Sequence, residues 1–297
     1  MAWRAVLLTG RARLRLNQQC CLVERDEGEI RLAFEDLAGV VLDTPEVSLS
    51  SALLARFARE KVLLVTCDER HLPNGALLPL QGHFRQLATL RRQLALPLKT
   101  KKRLWQRLIA GKVANQGRVL ARFGHKEASA LFAMAERVAP GDPDNIEARA
   151  ARDYFARLFP DFRRRPREGD LCNAMLNYAY ALLRAGLARA LVAQGFHPAL
   201  GIWHDSVDNP FNLADDLVEP WRPLADLHVA HHLGARQSAP DELTTEDRRE
   251  LARLLVSELR LDGQITTLSW ALERFVDSFL LAIEQQRAEA LLLPEPV

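Results

Sequence analysis

The chain has little to offer a membrane. Its longest apolar segment, Leu171–Ala193, is broken by Asn173, Asn177, Arg184 and Arg189, which fits a buried helix rather than a span. The opening residues MAWRAVLLTGRAR carry too short an apolar stretch for a signal peptide and no small-residue cleavage site. Cysteine is scarce too. Cys20, Cys21, Cys67 and Cys172 show no C-x-x-C spacing, and adjacent cysteines are poor disulfide partners. A zinc ribbon is therefore unsupported, and small reduced core cysteines in a cytoplasmic protein are expected. No glycine-rich phosphate loop or Walker pattern occurs, which argues against ATP dependence.

Acidic residues are missing from one long stretch. Between Arg70 and Lys126 the chain carries 13 basic residues and no acid, whereas the remainder carries 27 basic against 38 acidic. The net charge of +2 conceals this segregation. Such a footprint predicts a polyanion partner, and nucleic acid is the expected one. Arg91, Arg92, Lys101, Lys102 and Arg103 are candidate phosphate contacts, with Arg163, Arg164 and Arg165 as a second group. A solvated basic helix face is the plainer alternative.

What is present organises into two parts within 297 residues, of which nearly half are apolar. Short β-prone runs fill the first part, at Arg4–Leu8, Arg13–Leu16, Cys20–Glu24, Glu29–Phe34 and Gly39–Leu42. Ser50 or Ser51 can cap a helix reaching about Glu60, and Val62–Thr66 reads as a buried strand. Asn74-Gly75 predicts a hairpin turn before Ala76–Leu80. From Gln81 the period becomes helical, with stripes through Leu104 and Leu108, through Leu131 and Met134, and through Leu171, Met175, Tyr178 and Leu182. Thr244 and Asp247 resemble a capping box opening a helix over Arg248–Arg260, and a last helix is expected from about Leu268 to Ala290. Strands followed by helices, without alternation, predict an α+β chain: a small, sandwich-like β-rich domain over 1–80 and a larger all-α domain over 81–297.

Three segments could carry chemistry. His204 ends Leu200-Gly-Ile-Trp-His, and Asp216 and Glu219 follow three residues apart. If Asp216 starts a helical turn, the two acids share a face, where they repel unless a cation lies between them. Imidazole nitrogen with carboxylate oxygens suits Mg2+ or Mn2+, although an acid pair at this spacing is more often a solvated face. Pro220 does not fit a helix interior, so a bend or restart is expected there. Glu147 precedes Ala150, Ala151 and Tyr154 on its own side of a helix, and a carboxylate on an apolar face is informative. A first-turn glutamate favoured by the helix dipole explains it equally well. His228, His231 and His232 have helical spacing but no cysteine near them, so a solvated or DNA-facing cluster outranks zinc. Trp203 and Trp221 are expected to pack the walls of any site here rather than stack on bases.

Taken in order, these segments resemble the CRISPR-associated integrase, the universal nuclease of spacer acquisition. The resemblance runs through the β-rich start, Val62–Leu80, Asn145–Phe155, Leu171–Tyr180, Gly195–His204 and Asp216–Pro223. The start Met-Ala-Trp-Arg and the compact length look like the branch that accompanies a single large effector nuclease. The resemblance implies a divalent ion, Mg2+ or Mn2+, held by Glu147, His204 and Glu219, with Asp216 supporting nearby. It implies attack of a DNA 3′-hydroxyl on a phosphodiester of the CRISPR repeat. It also implies a homodimer that uses the β-rich domain for dimerisation and partner contacts, and a small dimeric adaptation partner bridging two such dimers. Double-stranded DNA, as fragment and as repeat, is the implied substrate; the effector nuclease and other adaptation proteins are further implied partners. A stand-alone metal-dependent nuclease for branched DNA and a non-catalytic DNA-binding scaffold are the competing readings.

Overall fold

The computed structural model describes residues 3–80, 85–160, 170–236 and 241–297. Arg163, Arg164 and Arg165 lie outside the described residues.

Among the described residues, eight strands, one α-helix and a 3-10 turn at Phe34–Asp36 lie before residue 80. The strands and the helix are β1 (Arg4–Leu8), β2 (Ala12–Asn17), β3 (Cys20–Arg25), β4 (Gly28–Ala33), β5 (Leu37–Leu42), β6 (Val47–Leu49), α1 (Ser51–Glu60), β7 (Leu63–Cys67) and β8 (Pro73–Ala76). One sheet has the order β4-β3-β2-β6 and the other β1-β5-β7-β8. Ser50 caps α1, its hydroxyl accepting from the Leu53 amide.

In the second sheet β1, β5 and β7 run parallel, so α1 serves as a crossover between β5 and β7. Strands covered on both faces read as continuous apolar runs, and β5 is buried at every position. Alternate residues serve different cores. Leu37, Val40, Leu42, Val62 and Leu64 join an N-terminal cluster, while Ala38, Val41, Leu63 and Val65 join the cluster that fills the helical part. The larger core thus reaches across the 80/81 boundary.

The remaining chain forms α2 (Gln86–Leu94), α3 (Leu98–Arg122), α4 (Ala128–Glu136), α5 (Ile146–Leu158), α6 (Leu171–Ala193), α7 (Asn212–Leu217), α8 (Arg222–Ala235), α9 (Thr245–Ala252), β9 (Glu258–Leu261), β10 (Gln264–Thr267), α10 (Leu268–Gln285) and β11 (Pro294–Pro296). The chain therefore combines N-terminal β-sheets with a mainly helical remainder. α6 is the central helix, with Met175, Leu176, Tyr178, Leu182, Leu183 and Leu187 fully buried.

Three sequence expectations fail locally. Asn74-Gly75 lies inside β8, with Gly75 opposite Thr66. A Cβ at Gly75 would meet the Thr66 hydroxyl at 2.5 Å, so close strand approach explains this glycine. The turn is made earlier, where the Asp68 carboxylate accepts from the Arg70 and Leu72 amides at 3.0 and 2.9 Å. The helix expected over Arg248–Arg260 ends as α9 at Ala252, passes through a 3-10 turn and becomes β9. Asp262-Gly263, both at positive φ, turns β9 into β10, and β11 completes a three-stranded sheet β10-β9-β11. The last helix ends at Gln285 rather than near Ala290. The capping box at Thr244 and Asp247 is present as expected.

Candidate active site

Four elements converge on one cleft: α3, the start of α5, the loop Gly201–His204, and the turn joining α7 to α8. Glu147 is the second residue of α5, whose first amides are held by Asp142: Ile146 and Glu147 donate to its two oxygens at 2.9 and 3.0 Å. Ala150 and Tyr154 on its side are fully buried, which aims the carboxylate inward. α7 stops at Leu217, Pro220 sits in a 3-10 turn over Glu219–Trp221, and α8 restarts at Arg222. The restart rotates Glu219 away from Asp216, so the two acids serve different partners.

Asp216 is fully buried and wrapped by the His204 loop. Its Oδ2 accepts from the Ile202 and Trp203 amides at 2.6 and 3.0 Å, and its Oδ1 from the His204 amide at 2.9 Å. The same Oδ1 lies 2.7 Å from His204 Nδ1. A carboxylate can only accept there, so Nδ1 carries the proton and Nε2 is left as the available lone pair. The Asp216 hydrogen bond lifts the His204 pKa above the ordinary imidazole value, against the opposing effect of burial. Gly201 is needed for this wrap: a Cβ there would meet the His204 carbonyl at 2.2 Å and Asp216 Oδ2 at 2.8 Å. Trp203 stacks on Trp105 of α3 with ring centroids 5.4 Å apart, and the His204 ring meets Trp105 edge-on. Trp221 is buried against Phe275. Trp221 is thus a core residue, whereas Trp203 packs on Trp105 and keeps 40% of its surface exposed; neither lines the cavity beside the site.

Glu147 and Glu219 meet on a single ammonium. Lys112 Nζ lies 2.6 Å from Glu147 Oε1 and 2.5 Å from Glu219 Oε2, and Glu219 Oε1 accepts from Arg222 Nε at 2.9 Å. Burial by itself would raise the Glu219 carboxyl, but Arg222 and Lys112 outweigh it and hold it down to about 2. Burial likewise opposes the Lys112 charge, yet the two glutamates prevail and keep its pKa above the usual lysine value. Arg222 is braced from behind: its guanidinium lies 4.7 Å over the Tyr180 ring, and the Tyr180 hydroxyl donates to buried Asp226. Burial pushes the Asp226 carboxyl up to about 6 in spite of that bond.

The donor set of two carboxylates and one imidazole fits a hard divalent ion. Among the described residues, no three His, Cys, Asp or Glu side chains gather as a preformed metal cluster. The cation between Glu147 and Glu219 is the Lys112 ammonium. Beside it a cavity of about 450 Å3 is lined by His204, Glu219, Arg222, Arg184 and Asn177, with the β8 hairpin as its far wall.

Lys112, Arg222 and Gly201 escaped the sequence reading. Lys112 had a signal, because it continues the buried Leu104 and Leu108 stripe of α3 at i+4 spacing, a charge where a core residue belongs. Nothing in the sequence marks Arg222 or Gly201 out from other residues of their type.

The basic stretch does not form one face. Lys102 and Arg103 are exposed near the start of α3, as is Arg91 on α2, and Lys101 is half-buried. Arg92 pairs with Glu284 at 3.3 Å, Arg107 donates to the Leu291 carbonyl at 2.7 Å, and Arg118 pairs with Glu295 at 2.8 Å. The histidines of α8 also differ from expectation, because the fold brings α9 against two of them. His232 Nε2 lies 2.7 Å from Asp247, and His228 Nε2 lies 2.8 Å from the Glu250 carbonyl. His231 packs on Phe123. No helix among the described residues is long and apolar enough to cross a membrane.

Comparison with known proteins places this site in context. A family model described as CRISPR associated protein Cas1 matches residues 6–260. A CRISPR-associated endonuclease Cas1 from Neisseria meningitidis serogroup C (strain 8013) is 37% identical over 297 residues, covering 99% of this chain and 97% of that protein. Among solved structures, a casposase bound to integration product superposes with a TM-score of 0.76 at 17% identity, covering 95% of this chain and 91% of that one. A Cas6-RT-Cas1–Cas2 complex gives a TM-score of 0.71 at 20% identity, covering 96% of this chain and 35% of that one.

Proposed function

The chain belongs to the CRISPR-associated Cas1 family, and from that premise we propose that it is a divalent-metal-dependent DNA integrase and endonuclease that inserts DNA fragments into a CRISPR array. The observation that carries this reading is the meeting of Glu147 and Glu219, from distant elements, on one cation beside His204 and an open cavity.

Glu147, Glu219 and Nε2 of His204 would hold Mg2+ or Mn2+. When bound, the ion supplies charge stabilisation at the phosphoryl oxygens and favours the deprotonated 3′-hydroxyl. The chain's own residues supply the rest. Asp216 fixes the ring orientation and tautomer of His204, so the imidazole serves as a ligand rather than a base. Arg222 holds one oxygen of Glu219 and so sets the direction of the other. Arg184 and Arg222 line the cavity, each paired with an acid of the same wall, Asp215 and Glu219, and a phosphodiester would reach them only by sharing those pairs. Attack forms a bond between the incoming 3′-oxygen and phosphorus and releases the 3′-oxygen of the repeat strand, so bond number is conserved.

A casposase solved on its integration product and a Cas1–Cas2 complex of the same fold support DNA and a Cas2-type partner as associates, and we propose that the DNA is double-stranded and the partner a small dimer. We further propose a homodimer as the working unit, with the β-rich part as its contact region and the cytoplasm as its location. Purified protein with this partner and Mg2+ or Mn2+ is expected to insert short duplexes into a supercoiled plasmid bearing the repeat. Glu147→Ala and His204→Ala are each expected to abolish insertion. Insertion that survives either change overturns the site assignment.

A further inference from the structure

The metal reading makes Lys112 conspicuous. Its ammonium stands between two of the three ligands, 2.6 and 2.5 Å from their oxygens, where a divalent ion would have to bind both. The residue is nearly inaccessible, at 9% relative exposure, and it comes from the interior of a long helix whose neighbouring turns are packed. Its backbone is thereby fixed, and only the four-carbon stem can move. Glu219 has no spare oxygen in this state, since Oε1 takes Arg222 and Oε2 takes Lys112.

We propose that Lys112 is a resident counter-cation: its ammonium holds Glu147 and Glu219 together in the metal-free protein, and a divalent ion binds by displacing it. The inference rests on the metal reading above. Two carboxylates pointed at each other in a buried cleft repel, so a protein folded before it meets its metal needs a cation there. A lysine suits the task better than an arginine, because a compact point charge on a flexible stem leaves more readily than a planar fork that binds carboxylates through two parallel bonds. After displacement the ammonium stays within reach of the cleft, where an incoming phosphate offers it a new acceptor.

The test is Mn2+ titration, followed by electron paramagnetic resonance, on the full chain, together with thermal unfolding with and without Mn2+. Lys112→Met is expected to bind Mn2+ about tenfold more tightly than wild type, because no ammonium has to be expelled. Its metal-free form should melt lower than wild type, and Mn2+ should raise its melting temperature by more. Equal or weaker Mn2+ binding by Lys112→Met overturns the proposal and marks Lys112 as a positioning residue for the carboxylates. If Lys112→Met does not fold, Lys112→Arg decides. Mn2+ binding weaker than wild type supports displacement; equal or tighter binding overturns it. Glu147→Gln and His204→Ala are run alongside. If wild type binds Mn2+ and these two lose it, the metal reading stands whatever Lys112 does. If neither wild type nor Lys112→Met binds Mn2+, both readings fall together.

Discussion

Two clusters in this protein are made of the same parts. One gathers Glu147, Glu219, Asp216 and His204 with Lys112 and Arg222; the other gathers Asp247 with His232 and Arg236, beside His228 and Glu250, between α8 and α9. In the second, Asp247 is spent. It closes the capping box with Thr244, and its oxygens also take His232 and Arg236. Burial holds His228 below the ordinary imidazole value, and its Nε2 lies 2.8 Å from the Glu250 carbonyl. In the first cluster the Asp216 bond lifts His204 instead, and the His204 side chain keeps 45% of its exposure. Its acids come from separate elements and meet beside a cavity. Residue type is alike in the two; what separates them is that His204 turns its free Nε2 to a cavity, whereas His232 and His228 give theirs to protein acceptors.

The sharpest way to break the comparison is to ask both clusters to bind metal. Glu147→Gln should lower Mn2+ affinity and insertion by ~100-fold or more, because an ion's contribution to transition-state stabilisation is several kcal/mol. Asp247→Asn should leave both unchanged. Metal binding that depends on Asp247 would erase the distinction.

A buried acid behind the first cluster gives the next largest effect. Asp226 sits at about 6, above its unfolded value, so its neutral form favours folding at acid pH, and that contribution is lost as pH rises from about 4 through 6. Wild type should therefore lose about 3 kcal/mol relative to Asp226→Asn across that window in urea unfolding. Parallel pH profiles would show that the carboxyl is not held as described.

Support around His204 comes third. Asp216→Asn removes the charge behind the imidazole and turns one of the two accepting oxygens into a donor, and partners of this kind are worth roughly 10- to 100-fold in metal affinity. The matching change in the other cluster, Thr244→Ala, should cost about 1 kcal/mol of stability through the missing cap and nothing in Mn2+ titration. The smallest effect concerns α3. Replacing Lys102 and Arg103 with glutamine should flatten the salt dependence of DNA affinity, by about one unit of slope for each phosphate no longer neutralised. Arg118→Gln should leave the slope alone, because Glu295 holds that side chain.

The same helix shows how far the sequence could be read. The acid-free run from Arg70 to Lys126 pointed to a polyanion, and exposed Lys102 and Arg103 leave that possibility open. Further along α3, Arg107 and Arg118 answer carbonyl and carboxylate groups some 180 residues away. Charge along a sequence records which residues are basic, and the partners that neutralise them arrive only with folding. Strand and helix positions were legible because they follow periods of 2 and 3.6 and caps that act within four residues, as at Ser50 and Thr244. The β9–β10 hairpin was missed although Asp262-Gly263 announces it, because a leucine-rich run just before it fits a helix as well as a strand.

By itself, then, the sequence determined the class of the fold, the family, and the short ordered motifs that carry Glu147, His204, Asp216 and Glu219. Those depend on local backbone preferences and on residue order along the chain. The tertiary structure decided that Asp216 serves His204 while Glu219 turns to Arg222, because α7 ends at Leu217 and a 3-10 turn carries Glu219 and Pro220 before α8 restarts at Arg222. It alone placed Lys112 between two acids, one 35 and the other 107 residues away. A buried charge must find its opposite, and only the packed fold brings the two together.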